Sequence, residues 1–367
     1  MTHELKNLIE KTLEWQNNNK KIVLATIVKT EGSSYRRPGV RMLINDIGER
    51  FGEVSGGCVE KEVHIQAQSV LESGIPKIMA YDGRLRLGCE GIIFVLIEPI
   101  FISIELNNIF LKTLNERKKF FGVSYFTSEI CSSNSFGTNF LFEEKIYPLR
   151  KNFNKKEYHS TFKQTFSPLF QCFIFGAEYD AVKLCKSAAE LGWEVTIIAS
   201  PDEQKSIKYF SGAQHLLTPN FSDLKIDRVD NQTAIILMTH SLTKDLQYLI
   251  ALSETNPAYI GLLGPSQRKE KLISHLLDRK PDVSLKFIEK YEEFCNHSFD
   301  DQLTSLANFG NRDIRTIREN RFNQNSNRSR AYPLGLLFST LHDDPEFKKS
   351  VMDRLNKLQL PFEIKTS

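Results

Sequence analysis

The chain has 367 residues, enough for two or three domains at about 100–200 residues each. Hydrophobic residues make up 41% and charged residues 25%, as in ordinary globular proteins that bury a sizeable core. The formal net charge of +3 and the lack of a long basic block argue against a nucleic-acid-binding protein.

Neither a leader nor a membrane segment is predicted. Residues 1–20 are polar and lack the apolar core of a signal peptide. The most apolar stretch, residues 91–104, contains Glu98 and Pro99 and is too short to span a bilayer. We therefore expect a cytoplasmic protein with no membrane contact. Its six widely spaced cysteines, among which no CxxC pair occurs, are expected to be free thiols rather than a zinc knuckle.

The first hundred residues mix helical and strand patterns, which favours an α+β domain. Apolar residues at helical spacing predict two helices, and apolar runs rich in β-branched residues predict strands between them. Glycine, serine and proline predict the loops. The predicted elements are a helix within 1–20, strands over 22–29, 40–44 and 51–54, a loop over 30–39, a helix from 58 to about 74, and a strand over 92–97.

The second half of the chain alternates apolar strands with helical segments, as in a doubly wound parallel sheet. A strand over 172–175, a helix ending near Gly192 and a strand over 195–198 have together the size of a βαβ crossover. Further strands are predicted over 234–238 and 259–263, each followed by a helix. The predicted fold class is α/β, with an N-terminal α+β domain followed by a Rossmann-like doubly wound parallel-sheet domain.

The predicted domains are residues 1–104 and 166–367. Residues 105–165 lack a clear period because Asn, Ser, Lys and Phe are abundant, so they are interpreted as edge strands and a linker. In the second domain, the Asn- and Arg-rich residues 308–330 are interpreted as a loop or partly disordered segment. A closing helix is predicted from Pro345 to about residue 358.

Two loops that contain glycine and serine are the candidate ligand site of the first domain: residues 32–39 and residues 55–60. Glycines let a backbone approach a ligand closely, and free N–H groups at a helix start favour an anion there. Arg36, Arg37 and Arg41 are candidates for charge-assisted bonds to a phosphate. The predicted binding residues in these loops are Ser33, Ser34, Arg37, Gly56, Gly57 and Cys58.

Two cysteines, Cys58 and Cys89, are candidates to bind a metal or to accept sulfur. Cys58 lies at or next to the start of the predicted helix, a position that favours the thiolate, which is a ligand for soft metals and an acceptor of sulfur. The alternative is a tight turn with a small buried thiol. Cys89 lies in Leu87-Gly88-Cys89-Glu90-Gly91, just before a strand, where a turn with a packed thiol is again the alternative.

Together these motifs resemble the XdhC/CoxI family, the xanthine dehydrogenase accessory factors. The resemblance implies a protein that binds the molybdenum cofactor and protects it while a cysteine desulfurase supplies the terminal sulfido ligand. The cofactor is then delivered to an apo-hydroxylase. By this resemblance, Cys58 and Cys89 are the candidates for contact with molybdenum or sulfur. The matching stretches, which cover most of residues 24–99, are Gly32-Ser33-Ser34, Arg37-Pro38-Gly39, Met42, Gly52, 55–60 and 87–91.

The turn after the first strand of the second domain departs from a dinucleotide-binding loop. Such a loop has the pattern G-x-G-x-x-G, and here only Gly176 remains. Glu178 replaces the second glycine and would repel a pyrophosphate, although Ala181 still suits the third position. The acidic residue expected after the next strand is replaced by Ala199, and Asp202 is the alternative that could take its role. NAD(P) is therefore not expected as a cofactor.

This half resembles the C-terminal Rossmann domain of the same family. His240 follows the carboxyl end of a strand, where open α/β sheets place ligands; a helix-capping or solvent-facing histidine is the alternative. Gly264 opens a helix together with Ser266 and Arg268 and is a candidate anion site, unless Arg268 is simply solvated. The matching stretches are Phe175-Gly176-Ala177, 191–195, Met238-Thr239-His240 and 259–265.

The sequence thus predicts a maturation factor for a molybdenum hydroxylase that acts by binding, shielding and handover. No catalytic residue is predicted for this role. The implied partners are the apo-hydroxylase, a cysteine desulfurase and a second copy of the chain in a homodimer. Two alternatives stay open: an NAD(P)-dependent oxidoreductase that uses the Rossmann half, and a scaffold that only bridges the desulfurase and the hydroxylase.

Overall fold

The computed structural model describes residues 2–34, 36–55, 57–85, 91–150, 153, 160–224, 226, 228–284 and 287, without the side chains of Cys58, Leu85, Ser222 and Ser266. Contacts divide the chain into two compact units, with the boundary between Leu169 and Phe170. In the described part, no helix has both the length and the apolar character needed to cross a membrane. The predicted loop over 308–330 and the predicted closing helix lie outside the described residues.

The first unit is built around a five-stranded antiparallel sheet with the order β3-β2-β1-β5-β4. Its long central strand, β1, has the β-branched and apolar sequence that favours extended backbone. The predicted helices and strands of this region are confirmed, and β4 is an addition. The elements are α1 (Thr2–Asn17), β1 (Ile22–Gly32), β2 (Arg41–Asn45), β3 (Arg50–Gly52), α2 (Cys58–Ser73), β4 (Lys77–Asp82) and β5 (Gly91–Pro99).

Successive strand residues point to opposite faces of this sheet, so both faces carry apolar side chains, and a helix covers each face. The apolar face of α2 includes Val59, Val63 and Ala67. It packs on the face of the sheet that contains Val23 and Ala25. The helix ends where Gly74 takes the left-handed conformation and donates its N–H to the Val70 carbonyl. Residues of α1 pack on the opposite face, against Leu24 and Leu43.

Residues 105–165 differ from the predicted edge strands and linker. These residues form most of one helix and most of a four-stranded antiparallel sheet. The strand order of this sheet is β8-β7-β6-β9. The helical period is hidden in the sequence because Ile104 and Leu111 are exposed apolar residues on the outer side of α3. The phenylalanines form the core, with the Phe120 ring stacked on Phe142 and Phe166. The elements are α3 (Ile104–Asn115), β6 (Phe120–Phe126), β7 (Gly137–Phe142), β8 (Lys145–Pro148) and β9 (Ser160–Phe166).

The second unit contains a five-stranded parallel sheet with the order β12-β11-β10-β13-β14. Helix α4 packs on one face, and α5 and α6 pack on the other. The predicted doubly wound architecture is confirmed, and the strand order reverses between β10 and β13. The elements are β10 (Gln171–Phe175), α4 (Tyr179–Glu190), β11 (Glu194–Ile198), β12 (Ala213–Leu217), β13 (Thr233–Leu237), α5 (Leu242–Leu252), β14 (Tyr259–Leu262) and α6 (Ser266–Arg279).

Candidate functional site

The strand pairing of the first sheet makes the two candidate loops leave their strands in the same direction. Antiparallel neighbours put the carboxyl ends of β1, β3 and β4 beside the amino ends of β2 and β5. Gly32 at the end of β1 pairs with Gly91 at the start of β5, and Met42 pairs with Gly52 at the end of β3. The loops over 33–40 and 53–57 therefore leave their strands in the same direction, toward the start of β5. The first loop begins beside Gly91, whereas Gly52, before the second loop, lies at the level of Ile97. Cys89, two residues before Gly91, lies outside the described residues.

The loop after β1 lies directly against the start of β5. A Cβ atom added to Gly91 would come within 2.4 Å of the Ser33 carbonyl oxygen, so only glycine leaves room for the loop. Ser33 and Arg37 are exposed, whereas Ser34 is half-buried. The Ser34 hydroxyl donates to the Arg36 carbonyl at 2.8 Å and thereby stabilises the turn of the loop.

The second loop leads into α2, which begins at Cys58 as predicted. Gly57 is the N-cap residue, with a positive φ of 48° and no side-chain cap bond. Instead, the buried Glu60 reaches back from the third helical position, and its Oε1 accepts the Ser55 N–H at 2.6 Å. Glu60 thus positions the loop, a role that its place in the motif could have indicated. Gly56 and the Cys58 side chain lie outside the described residues.

Arg41, one of the three arginines that the sequence suggests as phosphate ligands, is buried. Only 7% of its surface is exposed. Its Nη1 donates to the Gly39 carbonyl at 2.8 Å and to Gln164 Oε1 at 2.6 Å, and its guanidinium lies 5.4 Å from the Phe166 ring centre. Burial lowers the pKa of Arg41 to about 10, against the opposing effect of Glu98 and Glu4. Arg41 therefore links β2 to the second sheet of this unit through β9.

A cavity of about 330 Å³ lies beside Arg41. It is bordered by α1, by the end of the loop after β1, and by the end of β3. The wall contains both apolar and charged side chains, so it suits a ligand that has both characters. The lining residues are Glu4, Leu5, Asn7, Leu8, Arg36, Gly39, Val40, Arg41, Phe51, Gly52 and Glu53.

In the second unit, Gly176 and His240 follow adjacent strands at the point where the strand order reverses. A Cβ atom at Gly176 would lie 2.4 Å from the Met238 carbonyl oxygen, which explains the glycine by packing. His240 has an unusual positive φ of 57°, and its Nε2 lies 2.9 Å from Asp180 Oδ2. Oδ1 of the same carboxylate accepts the Ala181 N–H at 3.0 Å. The sequence pattern assigns no role to Asp180.

At the helix after Gly264, the arginine that the sequence suggests as an anion ligand is engaged within the protein. Arg268 Nη2 donates to Asp245 Oδ2 at 2.6 Å, so Arg268 is paired rather than solvated. Asp245 is fully buried, and its Oδ1 accepts the Thr239 hydroxyl at 2.6 Å. Gly264 is exposed with a positive φ of 141°, and a Cβ there would meet the Arg268 side chain. Asp245 gives no signal in the sequence because its partner is 23 residues away.

The predicted metal ligands, Cys58 and Cys89, have no described side chains. Within the described residues, no three His, Cys, Asp or Glu side chains gather around a common point that would hold a metal. Burial raises the pKa of Cys185 to about 11, and it raises the pKa of Cys172 further above its ordinary value. These two thiols therefore stay protonated near neutral pH and are unsuited to metal binding.

Comparison with known proteins gives matching assignments for both units. The family model of XdhC and CoxI matches residues 15–82, and the model of the XdhC Rossmann domain matches residues 172–290. A probable xanthine dehydrogenase subunit of Bacillus subtilis is 28% identical over 275 residues, covering 69% of this chain and 82% of that protein. The molybdenum cofactor insertion chaperone PaoD of Escherichia coli is 26% identical over 274 residues, covering 72% of this chain and 73% of PaoD.

One solved structure is similar in fold over most of the chain. The crystal structure of a xanthine dehydrogenase from Bacillus halodurans superposes with a TM-score of 0.61 at 27% identity. The match covers 72% of this chain and 84% of that one. The motifs of both halves, the two fold types and these relatives agree: the chain belongs to the XdhC and CoxI family.

Proposed function

We propose that this protein binds the molybdenum cofactor, holds it while a terminal sulfido ligand is added, and delivers it to an apo molybdenum hydroxylase of the xanthine dehydrogenase type. The observation that carries the proposal is that both glycine-containing loops leave the strands of the first sheet in the direction of the start of β5. The names of the relatives in Bacillus subtilis and Escherichia coli support the same role.

The residues at this end of the sheet fit an anionic pterin that carries a soft metal. The exposed Gly57 is the N-cap of α2 and has no side-chain cap bond, so a ligand can approach the first N–H groups of the helix there. Cys58 is the first residue of α2, where the helix dipole favours a thiolate. A thiolate there suits molybdenum or a sulfur atom in transfer, and Cys89 is the second candidate by its place in the sequence, two residues before Gly91.

The proposed role needs partners rather than catalytic residues of this chain. A cysteine desulfurase would supply the sulfur, and the apo-hydroxylase would receive the loaded cofactor. We further propose a cytoplasmic homodimer as the working form. In the second unit, His240, Gly176 and Gly264 lie on loops at the carboxyl ends of parallel strands, the usual ligand edge of such sheets. We propose them as further cofactor-binding residues.

The direct test is cofactor retention by protein purified from a molybdenum-replete host. Molybdenum is measured by mass spectrometry, and the pterin by fluorescence after oxidation. We expect near-stoichiometric loading of the wild type and at least a tenfold loss in Cys58→Ser. The matched control is Cys131→Ser, because Cys131 lies in the same unit but at the other end of the sheet, where its carbonyl accepts the Ile78 N–H.

Two results would count against the proposal. Wild-type protein that carries neither pterin nor molybdenum would contradict the binding role itself. Equal loading of Cys58→Ser and the wild type would remove Cys58 from the site. Activation of a purified apo-hydroxylase by loaded protein, with and without desulfurase, separates delivery from simple storage. Capture of both partners without any pterin would favour the scaffold alternative.

A further inference from the structure

His240 has a backbone conformation that a histidine adopts only under constraint. Its φ of 57° lies in the left-handed region, where the backbone crowds the Cβ atom of any residue other than glycine. The residue stands between the end of β13 and Ser241, the N-cap residue of α5. Such strain persists only where surrounding contacts enforce it, and it is concentrated at functional sites.

Buried polar contacts hold this strained residue in place. On its amino side, the Thr239 hydroxyl donates to Oδ1 of the fully buried Asp245 at 2.6 Å, and the Thr239 N–H lies 3.3 Å from the same oxygen. Asp245 is fixed in turn by Arg268. On its carboxyl side, the Ser241 hydroxyl caps α5. The conformation of His240 is therefore set by the fold and not by its own preference.

The contact with Asp180 gives the two ring nitrogens of His240 different roles. Nε2 lies 2.9 Å from Asp180 Oδ2, and an ionised carboxylate can only accept, so Nε2 carries the proton. In the neutral imidazole, Nδ1 is then a hydrogen-bond acceptor. No described residue binds Nδ1. Because 54% of the side chain is exposed, a ligand can approach the ring from solvent.

The imidazole spans two adjacent loops of the parallel sheet. His240 follows β13, and Asp180 lies in the first turn of α4, which follows β10. These two strands are neighbours, and the strand order reverses between them. Open α/β sheets bind their ligands in the crevice at such a point. We call the space between residues 176–180 and 238–241 the switch crevice.

The charges around the switch crevice balance each other. Glu178 and Asp180 bring two carboxylates. Lys183 Nζ lies 4.7 Å from the ring centre of the first residue of α4. From the first turn of α5, Lys244 donates to the hydroxyl of Ser200, which follows β11, so its side chain crosses the end of β10. A phosphate would meet two carboxylates and a cation two lysines, so the crevice favours an uncharged polar ligand.

The open hydrogen-bonding groups of the crevice are acceptors. Nδ1 of His240 is one of them. The exposed Glu178 is another, because it is the N-cap residue of α4 without a side-chain cap bond, and no described residue binds its carboxylate. Both groups need N–H or O–H donors from a ligand. An aminopyrimidinone ring, as in pterins and guanine, carries an amino group and a ring N–H side by side without a net charge.

We propose that the switch crevice binds an uncharged aminopyrimidinone ring, with His240 Nδ1 accepting one of its N–H groups. Asp180 is a positioning residue, because it keeps the proton on Nε2 and fixes the direction of the imidazole without contacting the ring. Identifying the ring with the pterin of the cofactor rests on the proposed function, whereas ring binding by His240 does not.

The probes for the test are free pterin, followed by its fluorescence anisotropy, and guanosine, followed by calorimetry. Each is titrated into the full-length protein slightly above neutral pH, where an ordinary histidine is mostly uncharged. We expect saturable binding of pterin by the wild type and at least tenfold weaker binding by His240→Gly. Glycine removes the imidazole and adopts a positive φ without strain, so this variant should fold.

His215→Gln is the matched control, because His215 is an exposed histidine on β12, the edge strand of the same sheet. Its affinity for pterin should stay within twofold of the wild type. A wild type that binds neither probe, or equal affinity of His240→Gly and the wild type, would overturn the proposal. Equal losses in His240→Gly and His215→Gln would indicate binding outside the crevice and would also overturn it.

The tautomer of His240 tests the positioning role of Asp180. Nitrogen-15 NMR of the imidazole distinguishes a proton on Nδ1 from one on Nε2. We expect the neutral ring of the wild type to carry its proton on Nε2. In Asp180→Asn we expect a mixture, because an amide donates as well as accepts, and at least threefold weaker pterin binding. An unchanged tautomer in this variant would contradict the positioning role.

The two probes and Cys58→Ser separate this inference from the proposed function. Cys58→Ser is expected to lose the cofactor and to keep the binding of free pterin. If the crevice prefers guanosine to pterin, the ring site stands and its identification with the cofactor is wrong. If the wild type carries the cofactor but binds neither free ring, the inference fails and the proposed function stands. If the wild type binds pterin at His240 but never carries the cofactor, the reverse holds.

Discussion

Thr138 binds both oxygens of the Glu98 carboxylate. Its backbone N–H donates to Oε2 at 2.9 Å, and its hydroxyl donates to Oε1 at 2.6 Å. Glu98 is fully buried near the end of β5, and Thr138 lies near the start of β7, so the pair joins the two sheets of the first unit. Burial nevertheless raises the pKa of Glu98 to about 7, against the opposing effects of Thr138, Arg150 and Arg41.

This raised pKa predicts that the first unit loses stability as the pH rises from about 5 to 8. Between the ordinary glutamate pKa and 7, the folded chain binds a proton at Glu98 that the unfolded chain has released. The free energy of unfolding therefore falls across this window. Glu98→Gln removes the titration, and its amide can still accept the Thr138 N–H. We expect the wild type to lose on the order of 2 kcal/mol more than the variant between these pH values.

Urea unfolding at pH 5, 6, 7 and 8 checks this prediction. The two tryptophans lie in different units, so Trp193→Phe leaves Trp15 to report on the first unit alone. Glu143→Gln is the control, because Glu143 is an exposed carboxylate paired with Lys118. The same pH slope in the wild type and Glu98→Gln would show that Glu98 does not titrate in this range.

The close approach at Gly176 predicts a structural role for that residue. The Ala side chain in Gly176→Ala would meet the Met238 backbone, which has little freedom to move at the centre of the sheet. We expect a loss of roughly 1–3 kcal/mol in the stability of the second unit. Gly264→Ala is the matched control, since its φ is also positive but its neighbour is the movable Arg268 side chain.

Trp193 fluorescence in a Trp15→Phe background follows the unfolding of the second unit. A smaller effect in Gly264→Ala than in Gly176→Ala would agree with the packing explanation. Unchanged stability of Gly176→Ala would contradict it, and the glycine would then have to be explained by a ligand alone.

The buried Asp245 predicts a large penalty when its charge is removed. Asp245→Ala leaves Arg268 without its carboxylate partner, and we expect a loss of about 3–5 kcal/mol. The double variant Asp245→Leu with Arg268→Met replaces the pair by apolar side chains and should recover most of that loss. Urea unfolding of the wild type, Asp245→Leu, Arg268→Met and the double variant forms a complete cycle. Additive losses in the cycle would show that the ion pair carries no coupling.

The arrangement of Asp180 predicts that the second unit does not bind nicotinamide nucleotides. Its carboxylate accepts the Ala181 N–H at the start of α4, where a dinucleotide would place its pyrophosphate. Two negative charges, from Asp180 and Glu178, would therefore meet the phosphates. We expect no change in NADPH fluorescence over the range of ordinary KM values, about 1 μM to 1 mM. Saturable binding in the micromolar range would support the oxidoreductase alternative instead.

Much of the fold and part of the candidate site follow from local pattern. The apolar runs of β1 and β10, the start of α2 at Cys58 and its end at Gly74 follow from residues within one or two turns of chain. The glycine loops are recognisable for the same reason. The helix α3 is not predicted because exposed Ile104 and Leu111 blur its apolar stripe.

The sequence by itself determined the α/β class, the two halves of the family and the positions of the candidate loops, because backbone period and turn chemistry are local properties. Only the tertiary structure decided which charges are buried and what they bind. Arg41 meets Gln164 from 123 residues away, and Arg268 meets Asp245 across two helices. The cost of burying a charge depends on such distant partners, so no local pattern distinguishes a buried arginine from an exposed one.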